Sequence, residues 1–184
     1  MQFISNSESL LNNESSLDAS VDNYWRILDV NLAWIRQSDQ KAYTIFTIYG
    51  ISISLVFSNI AIIKNLLEKS IVVDVVSVIY FISSLIAIIY GFRCIQPNIH
   101  MKFPPSIVFF GNIASNFKSP VEYHDHSKEI IVHIEKMQQE LCNQIYINSI
   151  IAHKKYNDLK KSITAFLVSL ISLLMIVINF FIMK

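Results

Sequence analysis

Three long apolar runs set the pattern of the chain. The first, AYTIFTIYGISISLVFSNIAII from Ala42 to Ile63, holds no Asp, Glu, Lys, Arg or His. At 1.5 Å per residue it makes a helix of about 33 Å, enough to cross the hydrocarbon core of a bilayer. Ile71 to Phe92 is as long and is interrupted only by Asp74, and Ile163 to Met183 carries no charge. The pattern therefore predicts transmembrane helices at 42–63, 71–92 and 163–183. An outer turn at 64–70, too short for anything else, makes the first two an antiparallel hairpin.

Outside these runs the apolar positions recur at helical spacing. Leu17, Val21, Tyr24, Leu28, Leu32 and Ile35 form one stripe, which predicts a cytosolic amphipathic helix over 17–41 behind a flexible N-terminus at 1–16. Neither Pro nor Gly separates that helix from the first span. A second stripe follows His126–Glu129: Ile130, Ile134, Met137, Leu141, Ile145, Ala152, Tyr156 and Leu159, with Asn148 as a polar break. It leads unbroken into the third span. The two stripes are expected to pack on each other, with both helices running from cytosol into membrane. Within the cytosolic loop and helix at 93–162, the prolines Pro97, Pro104, Pro105 and Pro120 gather in one stretch. That stretch reads as a loop, then a short strand or interfacial turn, then a short helix. The fold class expected is mainly α: a three-span transmembrane helical protein with a small cytosolic helical domain. Extensions of the first and third spans build that domain, together with an irregular loop that has room for a short strand.

Composition supports a membrane protein. Hydrophobic residues make up 53% of the chain and charged residues 16%, with a mean hydropathy of +0.43, well outside the range of ordinary soluble domains. A formal net charge of +1 gives no basic surface for nucleic acid. Cys94 and Cys142 are too few and too far apart for a disulfide framework or a zinc site, and read as reduced thiols. The first twenty residues lack the basic start and apolar core of a signal peptide, so insertion is expected to use the internal spans. Arg26, Arg36, Lys41, Arg93, Lys102, Lys154, Lys155, Lys160 and Lys161 lie on one side of the spans, against Lys64, Lys69 and Lys184 on the other. The positive-inside rule then puts the N-terminus in the cytoplasm and, in a bacterium, the C-terminus in the periplasm.

Each span also carries small or hydroxyl residues along one face. Gly50, Ser54 and Ser58 mark the first, Ser77 and Ser84 the second, and Ser162, Ser169 and Ser172 the third. Small side chains let helices approach closely in lipid, so packing explains these faces; in an oligomer some of them would line an aqueous path. Asp74 lies near the outer end of its span, where snorkelling to water competes with a pore-lining role. His124, His126 and His133 lack metal-ligand spacing. Gly50, Gly91 and Gly111 cannot build a phosphate loop. No metal, no cofactor and no enzymatic activity are expected.

Three motifs in order, "WIRQSDQKA" before a span with a glycine, "SIVFFGNIA" after a proline, and "QIYINSIIAHKKYNDL" before the last span, resemble the transmembrane effector of Pycsar antiphage systems over about residues 20–184. The matching positions are Trp34, Asp39, Lys41, Ala42, Gly50, Phe109, Phe110, Gly111, Ile113, Ala114, Lys155 and Tyr156. Ser38 departs from the pattern, which tends to read alanine before the aspartate. The resemblance implies an effector, not an enzyme, that pairs with a pyrimidine cyclase. It would respond to cyclic CMP or cyclic UMP and disrupt the bacterial inner membrane, so that infection is abortive.

A cyclic nucleotide offers one phosphate charge, a ribose and a flat base. Its binder needs a cation or amide donors, a sugar partner and an aromatic surface. Trp34, Arg36, Asp39, Lys41, Phe110, Gly111 and Asn112 supply these groups if the central loop folds under the first helix. Each also has a plain structural role: Arg36 with Asp39 as a helical pair, Trp34 as an interfacial anchor, Lys41 as a snorkelling charge. Three spans enclose little space, so the acting species is expected to be a homo-oligomer in the lipid bilayer. The alternative is a constitutive small membrane protein, a holin-like pore or an assembly partner, with no nucleotide gating.

Overall fold

A computed structural model describes residues 2–60, 64, 71–96 and 106–182, with side chains described from Ala19 onward. The outer turn and Pro97, Pro104 and Pro105 lie outside the described residues, apart from Lys64. Among the described residues five helices follow in order: α1 Gln2–Ser58, α2 Ile71–Ile95, α3 Phe110–Asn116, α4 Pro120–Val132 and α5 Ile134–Ile182. Among the described residues there is no strand. The place where the sequence left room for one is bend and short helix, since Phe109 to Asn116 closes helical hydrogen bonds from Asn112 and Ile113 back to the Phe109 carbonyl. Helix α1 opens at Gln2, ahead of the Leu17 start that the stripe predicts; no Pro or Gly stands between to stop it.

The chain forms two compact units. One comprises Met1–Trp34 and Asn98–Ala152, the other Ile35–Pro97 and His153–Lys184. Helices α1 and α5 each contribute to both.

In the first unit, α1 and α5 run in the same direction. Gln138 bonds Ser20, while farther along Asn31 donates to the Ile145 carbonyl and to Ser149. Leu28 and Leu141 are buried there. Ser119 caps α4 by accepting the Glu122 amide, with Pro120 at the first helical position where its missing N–H costs nothing. Segment 106–108 is held from two sides. Tyr123 donates to the Ile107 carbonyl, and the Glu140 carboxylate accepts the Ile107 amide. The sequence stripe predicted one helix through Ile130 and Ile134, but the structure breaks it at His133, whose backbone is extended. No Pro or Gly marks the break. The β-branched run Ile130, Ile131, Val132 has low helix propensity, and His133 accepts the first bond of α5 from Met137. Glu129 and Lys136 bridge the break at 2.7 Å.

The second unit is a three-helix bundle. Asp39 meets Lys155 and Tyr49 meets Ser169, so α1 and α5 are parallel; Cys94 lies near Ser38 while Ala87 lies near Ser162, so α2 runs against both. Small residues set the spacing: Ala42, Ala87, Ser162 and Ser169 are almost completely buried. A Cβ on Gly91 would come within 2.9 Å of the Phe46 ring, which itself lies 4.7 Å from that of Phe92. All three helices are long and apolar enough to cross a membrane. Leu55, Phe57, Phe81 and Phe181 turn outward, an apolar coat that lipid solvates and water does not.

Candidate functional site

The buried face of α5 repeats every seven residues, and most of it is polar. Asn148, Lys155, Ser162 and Ser169 follow one another at heptad spacing, and Gln144, Asp158 and Ser172 occupy a second buried row. On α1 the matching rows are Leu28, Ala42 and Tyr49, and Ser38 and Ile45. Within the bundle this seven-residue repeat keeps α1 and α5 in register along a shared seam from Lys155 to Ser169. Tyr156, which the sequence reading placed in the stripe, is exposed, and Lys155 takes the inward position. A search for apolar periodicity passes over buried lysine, serine and asparagine.

The seam's most charged point ties three helices together. The Lys155 ammonium donates to the Asp39 carboxylate at 2.6 Å and to the Cys94 backbone carbonyl at 2.8 Å. Its side chain is 8% exposed, and that of Asp39 28%. Beside it Arg93 reaches Asp158 at 3.5 Å, with Asp158 only 6% exposed. The Cys94 thiol, wholly buried, points to the Ser38 carbonyl at 3.8 Å. Two cations and two carboxylates thus lie together, and each buried member has a partner of opposite charge.

Further along α5 the seam is made of hydroxyls. Ser162 donates to the Ala87 carbonyl at 2.7 Å, a bond that closes on α2. Tyr49 and Ser169 share a hydrogen bond at 2.7 Å, and the Tyr49 ring stacks edge-on against Phe166. Ser172 is turned back to its own helix at the Val168 carbonyl.

The residues expected to hold a nucleotide divide between the units. Arg36, Asp39 and Lys41 belong to the bundle, where Arg36 and Lys41 are exposed and Asp39 is committed to Lys155. Trp34, Phe110, Gly111 and Asn112 belong to the other unit. There Trp34 is 53% and Phe110 78% exposed, and the Phe110 ring lies 4.8 Å from that of Phe109. Gly111 packs under Phe109, which a Cβ would meet at 2.7 Å. Of the small-residue positions, Ser84, Ser169 and Ser172 are buried and Ser77 is half-buried, while Gly50, Ser54, Ser58 and Asp74 are exposed. Ser54 and Ser58 satisfy their hydroxyls on the carbonyls of Gly50 and Ser54. The roles of Lys155, Asp158, Ser38 and Tyr49 were missed, although their heptad spacing was present in the sequence.

Comparison with known proteins adds one match. The family model described as Pycsar effector protein domain covers residues 23–182, a stretch that includes the ion-pair knot and the whole hydroxyl seam. No curated protein and no solved structure matches.

Proposed function

The chain belongs to the Pycsar effector family, and from that premise we propose that it is a membrane effector switched on by a cyclic pyrimidine nucleotide, cyclic CMP or cyclic UMP. Membership in this family of membrane proteins implies pairing with a cyclase and a nucleotide signal. On the present reading the activated protein opens the bacterial inner membrane as a homo-oligomer, and the infected cell dies before phage are released. The N-terminus is cytoplasmic and the C-terminus periplasmic, an orientation supported by the distribution of Lys and Arg about the spans.

One observation carries the reading. Helices α1 and α5 are each unbroken across the residues where one unit gives way to the other, and the Lys155 knot sits just past that point on α5. A buried salt bridge is a poor device for stability alone, since apolar residues of equal volume commonly do as well. It is suited to a switch, because a small displacement leaves a charge without its partner. Support for assembly comes from the outward face of α1: Thr47, Gly50, Ser54 and Ser58 are exposed, with their hydroxyls bonded within the helix. Such a face permits close approach of a second protomer.

Dye release from proteoliposomes containing the full chain tests the reading. Release is expected to begin on addition of cyclic CMP or cyclic UMP and to stay at background with the linear monophosphates. Release independent of both cyclic nucleotides would instead identify a constitutive pore.

A further inference from the structure

A groove of about 700 Å³ opens on the bundle between α2 and α5. Its walls change character in order. Asn157, Lys160, Lys161 and Tyr90 line one end, Thr164 follows, and Ile86 and Ala165 line the other. Along α5 that order runs from residue 157 to 165, and along α2 from 90 back to 86. The polarity gradient is therefore shared by both helices.

The polar end is rich in cations. Lys161 Nζ lies 5.1 Å and Arg93 Cζ 5.2 Å from the centroid of the Tyr90 ring. Only Arg93 has an acidic partner, Asp158 at 3.5 Å, while Lys160 and Lys161 make no ion pair among the described residues. Asn157 donates its amide to, or shares it with, His153 Nε2 at 2.9 Å, and Thr164 donates to the Lys160 carbonyl, so neither neutralises the lysines. Two cations with no counter-charge face a groove whose far end is apolar.

We propose that this groove is a binding site for an anionic phospholipid, with the headgroup phosphate between Lys160 and Lys161 and the start of an acyl chain against Ile86 and Ala165. The gradient selects an amphiphile. A soluble phosphate uses the lysines and leaves the apolar wall bare, and a neutral lipid uses the wall and leaves the lysines unmatched. Basic pockets between spans are where anionic headgroups bind, at about fivefold in affinity for each lysine near the surface. The site is independent of nucleotide gating and rests only on the membrane-spanning character of the bundle.

Native mass spectrometry of the full chain, released from micelles doped with phosphatidylglycerol or phosphatidylcholine, tests it. Phosphatidylglycerol adducts are expected to exceed phosphatidylcholine adducts at least fivefold. K160Q/K161Q should erase the excess and K160R/K161R should keep it, with K118Q, in the other unit, as an unchanged control. Should the double glutamine variant lose its helical circular dichroism, K160Q alone is expected to lower the excess several-fold. Equal adducts from the two lipids would overturn the proposal. So would an excess that survives K160Q/K161Q, or one displaced by millimolar glycerophosphate, which would mark a site for soluble phosphate only. An excess lost when the protein is shown to dimerise across this face, with no lipid retained, would assign the groove to a second copy and overturn it equally.

Discussion

Replacing Lys155 with methionine removes the ammonium that joins α1, α2 and α5 and leaves Asp39 without its cation. Breaking a buried pair by deleting one member costs about 3–5 kcal/mol. Asp39 keeps 28% of its side-chain surface, so water reaches the stranded carboxylate and reduces that cost to about 2 kcal/mol. The lost bond to the Cys94 carbonyl adds about 1 kcal/mol. A total of about 3 kcal/mol corresponds to roughly a hundredfold change in the opening equilibrium. Cys94 reports that opening directly, because it is fully buried in the knot whereas Cys142 is exposed. In a C142S background, alkylation of Cys94 in detergent proceeds only from opened molecules. K155M is expected to accelerate it roughly a hundredfold and D39N only about tenfold, since Lys155 retains the Cys94 carbonyl. The D39L/K155M pair should react about tenfold more slowly than K155M, because no orphan charge is left behind. A K155M rate within twofold of the parent, or a D39L/K155M rate as fast as that of K155M, would refute the reasoning.

Three further outcomes follow from the geometry. Gly91→Val drives a branched side chain into Phe46 and Ser162 and should destabilise the bundle by about 1–3 kcal/mol, whereas Gly50→Ala, with nothing within 4 Å, should be neutral or slightly stabilising; thermal melting in detergent compares them. Ser162→Ala removes the interhelical hydrogen bond to the Ala87 carbonyl, which keeps its bond within α2, and should cost about 1 kcal/mol in the same assay, and no loss would show that bond to be dispensable. The hydrogen bond from Lys136, reinforced by its charge, holds the Glu129 carboxyl below its ordinary value. Its contribution is present above the ordinary carboxylate range and fades as pH falls through the lowered value. Carbon NMR titration should show the Glu129 midpoint rising in K136M, and an unmoved midpoint would remove the bridge across His133.

The spans were legible because lipid imposes a requirement that hydropathy reads directly: long stretches without charge, closed on themselves by helical hydrogen bonds. The inward faces were harder. Leu28 and Leu141 followed the apolar stripe to burial, but the seam continues through Asn148, Lys155 and Asp158, residues that an apolar template scores as interruptions. Choosing Tyr156 over Lys155 was an error of one position on a helix, about 100° of turn, and it moved the knot from core to collar. The His133 break was not legible because no Pro or Gly marks it. Asp39 stood among the expected ligand residues and not as half of an ion pair, because its partner lies far along the chain and no local pattern connects residues 39 and 155.

The hydroxyl seam also bears on how far α5 is able to move within the bundle. Ser162 and Ser169 stand one heptad apart, so a slide of about 10 Å along the axis would bring one serine to the place of the other at little cost in fit. Lys155 has no such twin. The same slide would carry its ammonium to the level of the Ala87 carbonyl and leave Asp39 facing Asn148. Lys155 is therefore the index mark on an otherwise repeating scale: the serines alone would accept a new register one heptad away, and the lysine fixes which register α5 keeps.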